Sequence, residues 1–139
     1  MLRTFASLLL IVVMTILPVS VYASELDSIV QPTASSKTYT VTIPARDTVW
    51  IPDHYYIQPE TTTQVTINEI LSGSSSGTMS VRYKVAGEPG QGYNAGEFKA
   101  NITSPKSFNI YADADYYEIG ISNNTTNTVK LTLTIYYTN

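Results

Sequence analysis

Cysteine is absent from this chain of 139 residues, and histidine occurs once. Without thiols, the protein cannot contain disulfides, thiolate zinc sites, iron–sulfur clusters or a cysteine nucleophile. A single imidazole excludes a histidine-rich metal centre and gives a Ser–His–Asp triad little support. A domain folded from this sequence must therefore be held together by its core alone.

Charged residues are also scarce, at 14% of the sequence. The net charge of −3 and the isoelectric point near 4.9 argue against the basic surface that a nucleic-acid-binding protein needs to displace counterions from phosphates. Hydrophobic residues make up 43% of the chain, which is enough for a packed core, and the length fits one domain. We therefore expect a globular protein without a nucleic-acid partner.

The one long apolar run lies at the N-terminus. It extends from Ala6 to Leu17, Pro18 ends it, and small residues suited to cleavage follow up to Ala23. This arrangement is typical of a secretory signal peptide and is shorter than the ~20 apolar residues of a spanning helix. We expect residues 1–23 to be a signal peptide, and an uncleaved anchor is the alternative. The protein is then secreted, with no membrane span after cleavage, and ends in the medium, the periplasm or the cell wall.

The absence of cysteine bears on the source as well, because small secreted eukaryotic domains usually carry disulfides. A bacterial origin is therefore favoured. Residues 24–37 show little periodicity and end in a Pro-Thr-Ala-Ser-Ser stretch before Lys37, so we interpret them as a flexible leader. Residues 38–139 then form a single domain.

From residue 38 onward, apolar and polar residues alternate with a period of two. In 129–137, for example, valine, leucine, isoleucine and tyrosine alternate with lysine and threonine. Such alternation predicts strands with one buried face. About eight strands separated by turn residues predict an all-β antiparallel β-sandwich, either jelly-roll or fibronectin-like. The predicted strands are 38–43, 48–57, 64–71, 78–85, 97–103, 107–113, 116–122 and 129–137.

Two glycine-containing motifs match known signatures without their structural context. Residues 73–77 fit the G-x-S-x-G pattern of hydrolases, but a strand follows where that motif needs a helix. Residues 90–95 fit a relaxed dinucleotide fingerprint, yet no βαβ unit is available. We interpret both as loops. The second belongs to a predicted connection over 87–96, and long loops on rigid sandwiches often carry binding residues.

Acidic and imidazole side chains give weak indications of chemistry. Asp113 and Asp115 alternate on a strand-like segment and could both offer oxygens to a Ca²⁺ ion, although they could equally cap a turn. Asp53 and His54 are neighbours, but adjacent strand residues point to opposite faces, so they do not pair as catalytic groups. No catalytic residue is predicted, and Ca²⁺ is the one candidate cofactor.

Aromatic residues are the most informative feature, with eleven Tyr, three Phe and one Trp. The alternation places Tyr39, Tyr83, Phe98, Phe108, Tyr117 and Tyr137 on the inward side. It places Trp50, Tyr111, Tyr116 and Tyr136 on the outward side, and Tyr93 lies in the predicted 87–96 loop. Outward aromatic rings expose apolar area beside a polar group, as sugar and protein ligands require. We therefore predict Trp50, Tyr93, Tyr111, Tyr116 and Tyr136 to be ligand-binding residues on a stacking surface.

Three functions are compatible with these features. The leading hypothesis is a secreted, non-catalytic binding module for a cell-envelope or environmental glycan, or for a partner protein at the cell surface. The first alternative is a structural or self-assembling surface protein, a homo-oligomer whose copies pair through strand edges. The second is a small extracellular hydrolase that uses a pair of carboxylates.

Overall fold

A computed structural model describes residues 34–73 and 76–138 of the chain. The expected signal peptide and most of the expected leader lie outside these residues. Within the described part, the chain forms eight β-strands and no helix, and so no apolar helix that could cross a membrane. The strands are β1 (Ala34–Ile43), β2 (Thr48–Ile57), β3 (Thr63–Ser72), β4 (Thr78–Val85), β5 (Tyr93–Lys99), β6 (Lys106–Ile110), β7 (Asp115–Asn123) and β8 (Val129–Thr138).

The strands form two four-stranded antiparallel sheets. Sheet A has the order β1-β8-β3-β6, and sheet B has the order β2-β7-β4-β5. The pairing is nested, because β4 pairs with β5, β3 with β6, β2 with β7 and β1 with β8. The chain therefore runs as one long hairpin rolled into two layers, which is a jelly roll. The predicted all-β antiparallel sandwich is confirmed, and of its two predicted variants the jelly roll is the one formed.

The strand bounds follow the alternation to within one residue in β2, β3, β4, β7 and β8, and depart from it by three or four residues in β1, β5 and β6. Strand β1 starts at Ala34 instead of 38, so residues 34–37, predicted to belong to the flexible leader, are part of a strand. Strand β6 ends at Ile110 instead of 113. Strand β5 starts at Tyr93 instead of 97, so the predicted 87–96 loop is shorter than expected. A register shift opposite Val81 and Arg82 breaks the alternation of residues 93–96 and hides this strand from a period-two pattern.

The core lies between the sheets and is built from the inward side chains of each strand. These are mostly isoleucine, valine and leucine, whose branched side chains pack well on a pleated surface. Phe98 and Tyr117 are buried, and the other four aromatic residues predicted to face inward pack partly buried against the same cluster. The fully buried side chains include Ile43, Ile51, Ile57, Val65, Ile67, Met79, Val81, Ile110, Ile119, Ile121, Leu131, Leu133 and Ile135.

A buried asparagine fastens one end of the sandwich. The Asn123 Nδ2 atom donates to the carbonyl oxygens of Ile43, Pro44 and Asn127 at 3.1, 3.0 and 2.8 Å, and its Oδ1 atom accepts from the Thr125 N–H at 3.0 Å. The side chain thus joins the β1–β2 connection to the β7–β8 connection. No water is needed to satisfy these buried polar groups.

The β1–β2 connection itself has an unusual backbone. Arg46 has a φ of 57°, the one positive φ at a non-glycine position in the described chain. The left-handed conformation costs an ordinary side chain roughly 1–2 kcal/mol. The fold tolerates it in this four-residue connection, 44–47, because the turn is fixed on one side by Asn123.

Replacement of Asn123 by alanine should destabilise the protein by about 3 kcal/mol, since buried carbonyl and N–H groups lose their partners. Urea denaturation, followed by the fluorescence of Trp50, measures this change. Asn124→Ala is the matched control, because the neighbouring side chain is exposed. It should shift the free energy of unfolding by less than about 0.5 kcal/mol. Equal effects of the two variants would contradict the fastening role of Asn123.

Candidate functional site

The five aromatic residues predicted to bind a ligand lie on three separate surfaces. Trp50 on β2 and Tyr116 on β7 share the outer face of sheet B, whereas Tyr136 on β8 lies on the outer face of sheet A. Tyr93 and Tyr111 line a groove at one end of the sandwich. The single stacking surface expected from the sequence is therefore not formed, although each of the four tyrosines is exposed.

Trp50 is half-buried because its ring lies on the protein's own surface. It stands opposite Gly120, where a Cβ atom would come within 2.7 Å of the indole ring. The Lys84 ammonium lies 4.6 Å from the ring centroid, within the range of a cation–π contact. Much of the indole is thus already packed, which leaves less of it for a ligand than the sequence suggested.

Beside Trp50, three charged or titratable side chains form an ion cluster, which we define as His54, Lys84 and Glu118. The Lys84 Nζ atom lies 3.2 Å from one carboxylate oxygen of Glu118, and His54 Nε2 lies 3.4 Å from the other. Burial raises the pKa of Glu118, but hydrogen bonds from Lys84 and from the Gly87 N–H lower it more, so the net pKa falls below its usual value. The carboxylate is therefore held in its charged form.

The β4–β5 connection folds onto this face of sheet B. The Arg82 side chain donates to the carbonyl oxygens of Gln91 and Gly92 at 2.6 and 3.0 Å, and Lys84 donates to that of Glu88 at 2.9 Å. Arg82 and Lys84 thus stabilise the conformation of the β4–β5 connection. On the outer face of sheet B, Arg82, Lys84 and Glu118 are thus engaged in contacts within the protein.

One concave feature of the described chain is walled by four tyrosines, and we call it the tyrosine groove. We define it by Tyr83, Tyr93, Tyr111 and Tyr117, with Val85 and Asp113 at its sides. Its volume of about 500 Å³ lies within the range of small-molecule sites. Burial, followed by the negative charges of Asp113 and Asp115, raises the pKa of Tyr117. The groove thus has aromatic walls and a negative potential.

Sequence reasoning did not assign two of the four groove tyrosines to a site. Tyr83 and Tyr117 follow the inward alternation and were expected to face the core, which is confirmed, since Tyr117 is buried and Tyr83 packs partly buried against the core. They stand near strand ends, where the two layers part and inward side chains reach the open end of the sandwich. In the sequence, the one indication that these two tyrosines line a groove was their position near strand ends, close to predicted loops.

The other sequence candidates show no catalytic geometry. Asp113 and Asp115 are exposed, and Asp115 accepts a hydrogen bond from the N–H of Tyr116. In the described ranges no three His, Asp or Glu side chains are grouped as metal ligands. Calcium binding by the two aspartates stays a prediction. Asp53 pairs with Lys37 and Tyr39, while His54 reaches Glu118, so these neighbours do point apart.

The two glycine-containing motifs lack the structural context of the signatures that they match. The first, at 73–77, falls between β3 and β4, so a strand follows it where a hydrolase elbow needs a helix; residues 74 and 75 lie outside the described residues. Residues 90–95 run from the β4–β5 connection into β5.

Comparison with known proteins gives no family. No family profile matches the chain, and no curated protein matches it by sequence. A similar solved structure comes from Bacillus endospore appendages, described as a novel family of disulfide-linked pili. It has a TM-score of 0.37 and 16% identity, and the match covers 78% of this chain and 90% of that chain. This chain has no cysteine for such a linkage. A likeness this distant transfers no function.

Replacement of Glu118 by glutamine should flatten the pH dependence of stability. Because the folded-state pKa of Glu118 lies below its ordinary value of 4.5, its ion pairs stabilise the protein above that pH. The contribution is lost as the pH falls through the folded-state pKa. Between about pH 6 and pH 3, the wild type should therefore lose more unfolding free energy than the variant, as measured by urea denaturation. The control Glu60→Gln removes an exposed turn carboxylate and should behave like the wild type.

Proposed function

We propose that this protein is a non-catalytic structural protein of the cell surface whose copies associate through the edge of β1. The proposal rests on one observation: the β1 edge lacks most of the features that normally prevent the edges of two sheets from pairing. An edge strand presents unpaired N–H and C=O groups, and a long, flat one is a template for another chain. The proposal assigns no catalytic residue.

Three of the four sheet edges in the described chain carry protective features. Strand β2 contains Pro52 and a register shift between Trp50 and His54. Strand β5 contains Gly96 and lies opposite another register shift. Strand β6 has only five residues and begins with Lys106. Proline, bulges, short length and charge are the means by which proteins block edge-to-edge pairing.

Strand β1 has almost none of these features. It is ten residues long, contains no proline or glycine, and pairs with β8 without a register shift from Ala34 to Ile43. Its one charged side chain, Lys37, forms an ion pair with Asp53 of β2. Lys37 is thus the one protective feature of this edge, and its charge is partly neutralised by Asp53; the rest of the edge is uncharged.

The same contact holds β1 flat against the sandwich. Tyr39 donates a hydrogen bond to Asp53 and is also hydrogen-bonded to the hydroxyl of Tyr55. Hydrogen bonds from Lys37 and then Tyr39 lower the pKa of Asp53, so the carboxylate stays charged. A strand fixed in this way loses little conformational freedom when a second strand pairs with it.

The state of the other edges favours one mode of association. Pairing of β1 with β1 of a second copy is two-fold symmetric and closes at a dimer. Pairing of β1 with β6, the opposite edge of sheet A, would continue as a fibre, but the short β6 strand and its Lys106 oppose it. The expected export signal at 1–23 would bring the protein to the compartment in which such assemblies form a surface structure.

Replacement of Thr40 by lysine should weaken the association, because it places a charge on the edge strand that repels an approaching copy. The measurement is the molar mass against concentration, obtained by size-exclusion chromatography with light scattering. The wild type should increase in mass with concentration, and Thr40→Lys should remain closer to the monomer.

Thr132→Lys is the matched control for this prediction. Thr132 on β8 is the direct cross-strand partner of Thr40, so both variants add one positive charge to the same face at neighbouring strands. Only Thr40 lies at the edge. A strictly monomeric wild type at high concentration would overturn the proposal, and so would equal loss of association in the two variants.

A further inference from the structure

The walls of the tyrosine groove include the two most exposed large hydrophobic side chains of the described chain. Tyr93 and Tyr111 have relative exposures of 65% and 63%. Single exposed rings are common, but these two line one groove together with the half-buried Tyr83 and the buried Tyr117. This grouping distinguishes the groove from a surface with one exposed ring.

The rings are held in place before any ligand arrives. Tyr83 packs between Tyr93 and Tyr117, with ring centroids 5.5 and 6.0 Å away. The Tyr83 hydroxyl donates to the Tyr111 carbonyl oxygen at 3.5 Å, and the Asn109 amide donates to the Tyr111 hydroxyl at 3.4 Å. A ligand that binds here therefore orders few side chains, which favours affinity.

The charge of the groove restricts the chemistry of the ligand. Among the described residues, Asp113 is the one charged side chain that lines the groove, and no lysine or arginine lines it. A phosphate, sulfate or uronate group would meet a carboxylate without a compensating cation. The tyrosine hydroxyls and the Asp113 carboxylate can instead hydrogen-bond hydroxyl groups, with the rings beside them for apolar contact.

We propose that the tyrosine groove binds a neutral polysaccharide chain, with the apolar faces of its sugar rings stacked on Tyr93 and Tyr111 and its hydroxyl groups hydrogen-bonded to Asp113. The groove opens onto the protein surface. No residue of β1 lines it, and the site does not depend on association through the β1 edge. Of the five aromatic residues predicted from the sequence, this assigns Tyr93 and Tyr111 to one site.

The experiment measures retention of the purified protein on insoluble cellulose and chitin, with polygalacturonate as the anionic comparison. The wild type should be retained saturably on at least one neutral polymer and not on polygalacturonate. Retention should be insensitive to added salt, because no charge pairing is involved. Tyr93→Ala and Tyr111→Ala should each weaken the apparent affinity about tenfold or more, as expected for a central aromatic anchor.

Tyr136→Ala and Tyr116→Ala are the matched controls. They remove exposed tyrosines from the outer faces of sheets A and B and should leave retention unchanged. All four variants should keep the wild-type urea denaturation midpoint to within the small shift of an exposed position, which separates lost binding from lost folding. Thr40→Lys should be retained like the wild type, which separates this site from association through β1.

Several outcomes would overturn the proposal. These are the absence of retention on both neutral polymers, equal losses in the groove variants and the controls, and preferential retention on polygalacturonate. Displacement by choline chloride would assign the groove to an organic cation instead. Binding of poly-L-proline in place of the polysaccharides would assign it to a peptide.

Discussion

The structure depends on burying one layer of branched apolar side chains between two sheets. With no cysteine, no covalent link supports this layer, so each strand must devote one face to it. The outer faces, the edges and the ends of the sandwich are then the places left for function. The outer face of sheet B is largely used by its own ion cluster, by Trp50 on Gly120 and by the β4–β5 connection. The outer face of sheet A, the edges and the ends remain, and association and ligand binding are proposed at one edge and one end.

The edge and the groove differ in the kind of interaction they provide. In the proposed association through β1, the backbone supplies the hydrogen bonds, and the side chains need only avoid repulsion. Such pairing discriminates little between partner strands, and uncharged polar side chains are sufficient for it. In the groove the backbone is already paired, and recognition must come from ring faces and a few hydroxyl and carboxylate oxygens. The two are carried by different strands, so changes in one leave the other intact.

The sandwich could be predicted well from the sequence, because the alternation of apolar and polar residues along a strand indicates which side chains are buried. The alternation located β2, β4 and β8 almost to the residue, and it separated inward from outward rings. It could not show that Trp50 and Tyr136 belong to different sheets, because sheet membership depends on pairing between strands far apart in the chain. It also missed the start of β5, where a bulge breaks the period, and the opening of the layers near Tyr83 and Tyr117.

The left-handed backbone of Arg46 has a further consequence for the first strand. In the described chain, β1 forms its sheet pairing with β8 alone, and the connection behind it carries unfavourable torsional energy. Straightening this connection would release that energy, but it would also break the hydrogen bonds that Asn123 donates to the carbonyl oxygens of Ile43 and Pro44. Those buried hydrogen bonds outweigh the torsional cost of one left-handed residue. The Asn123 side chain therefore opposes exchange of the first strand between copies and keeps β1 in its own sheet.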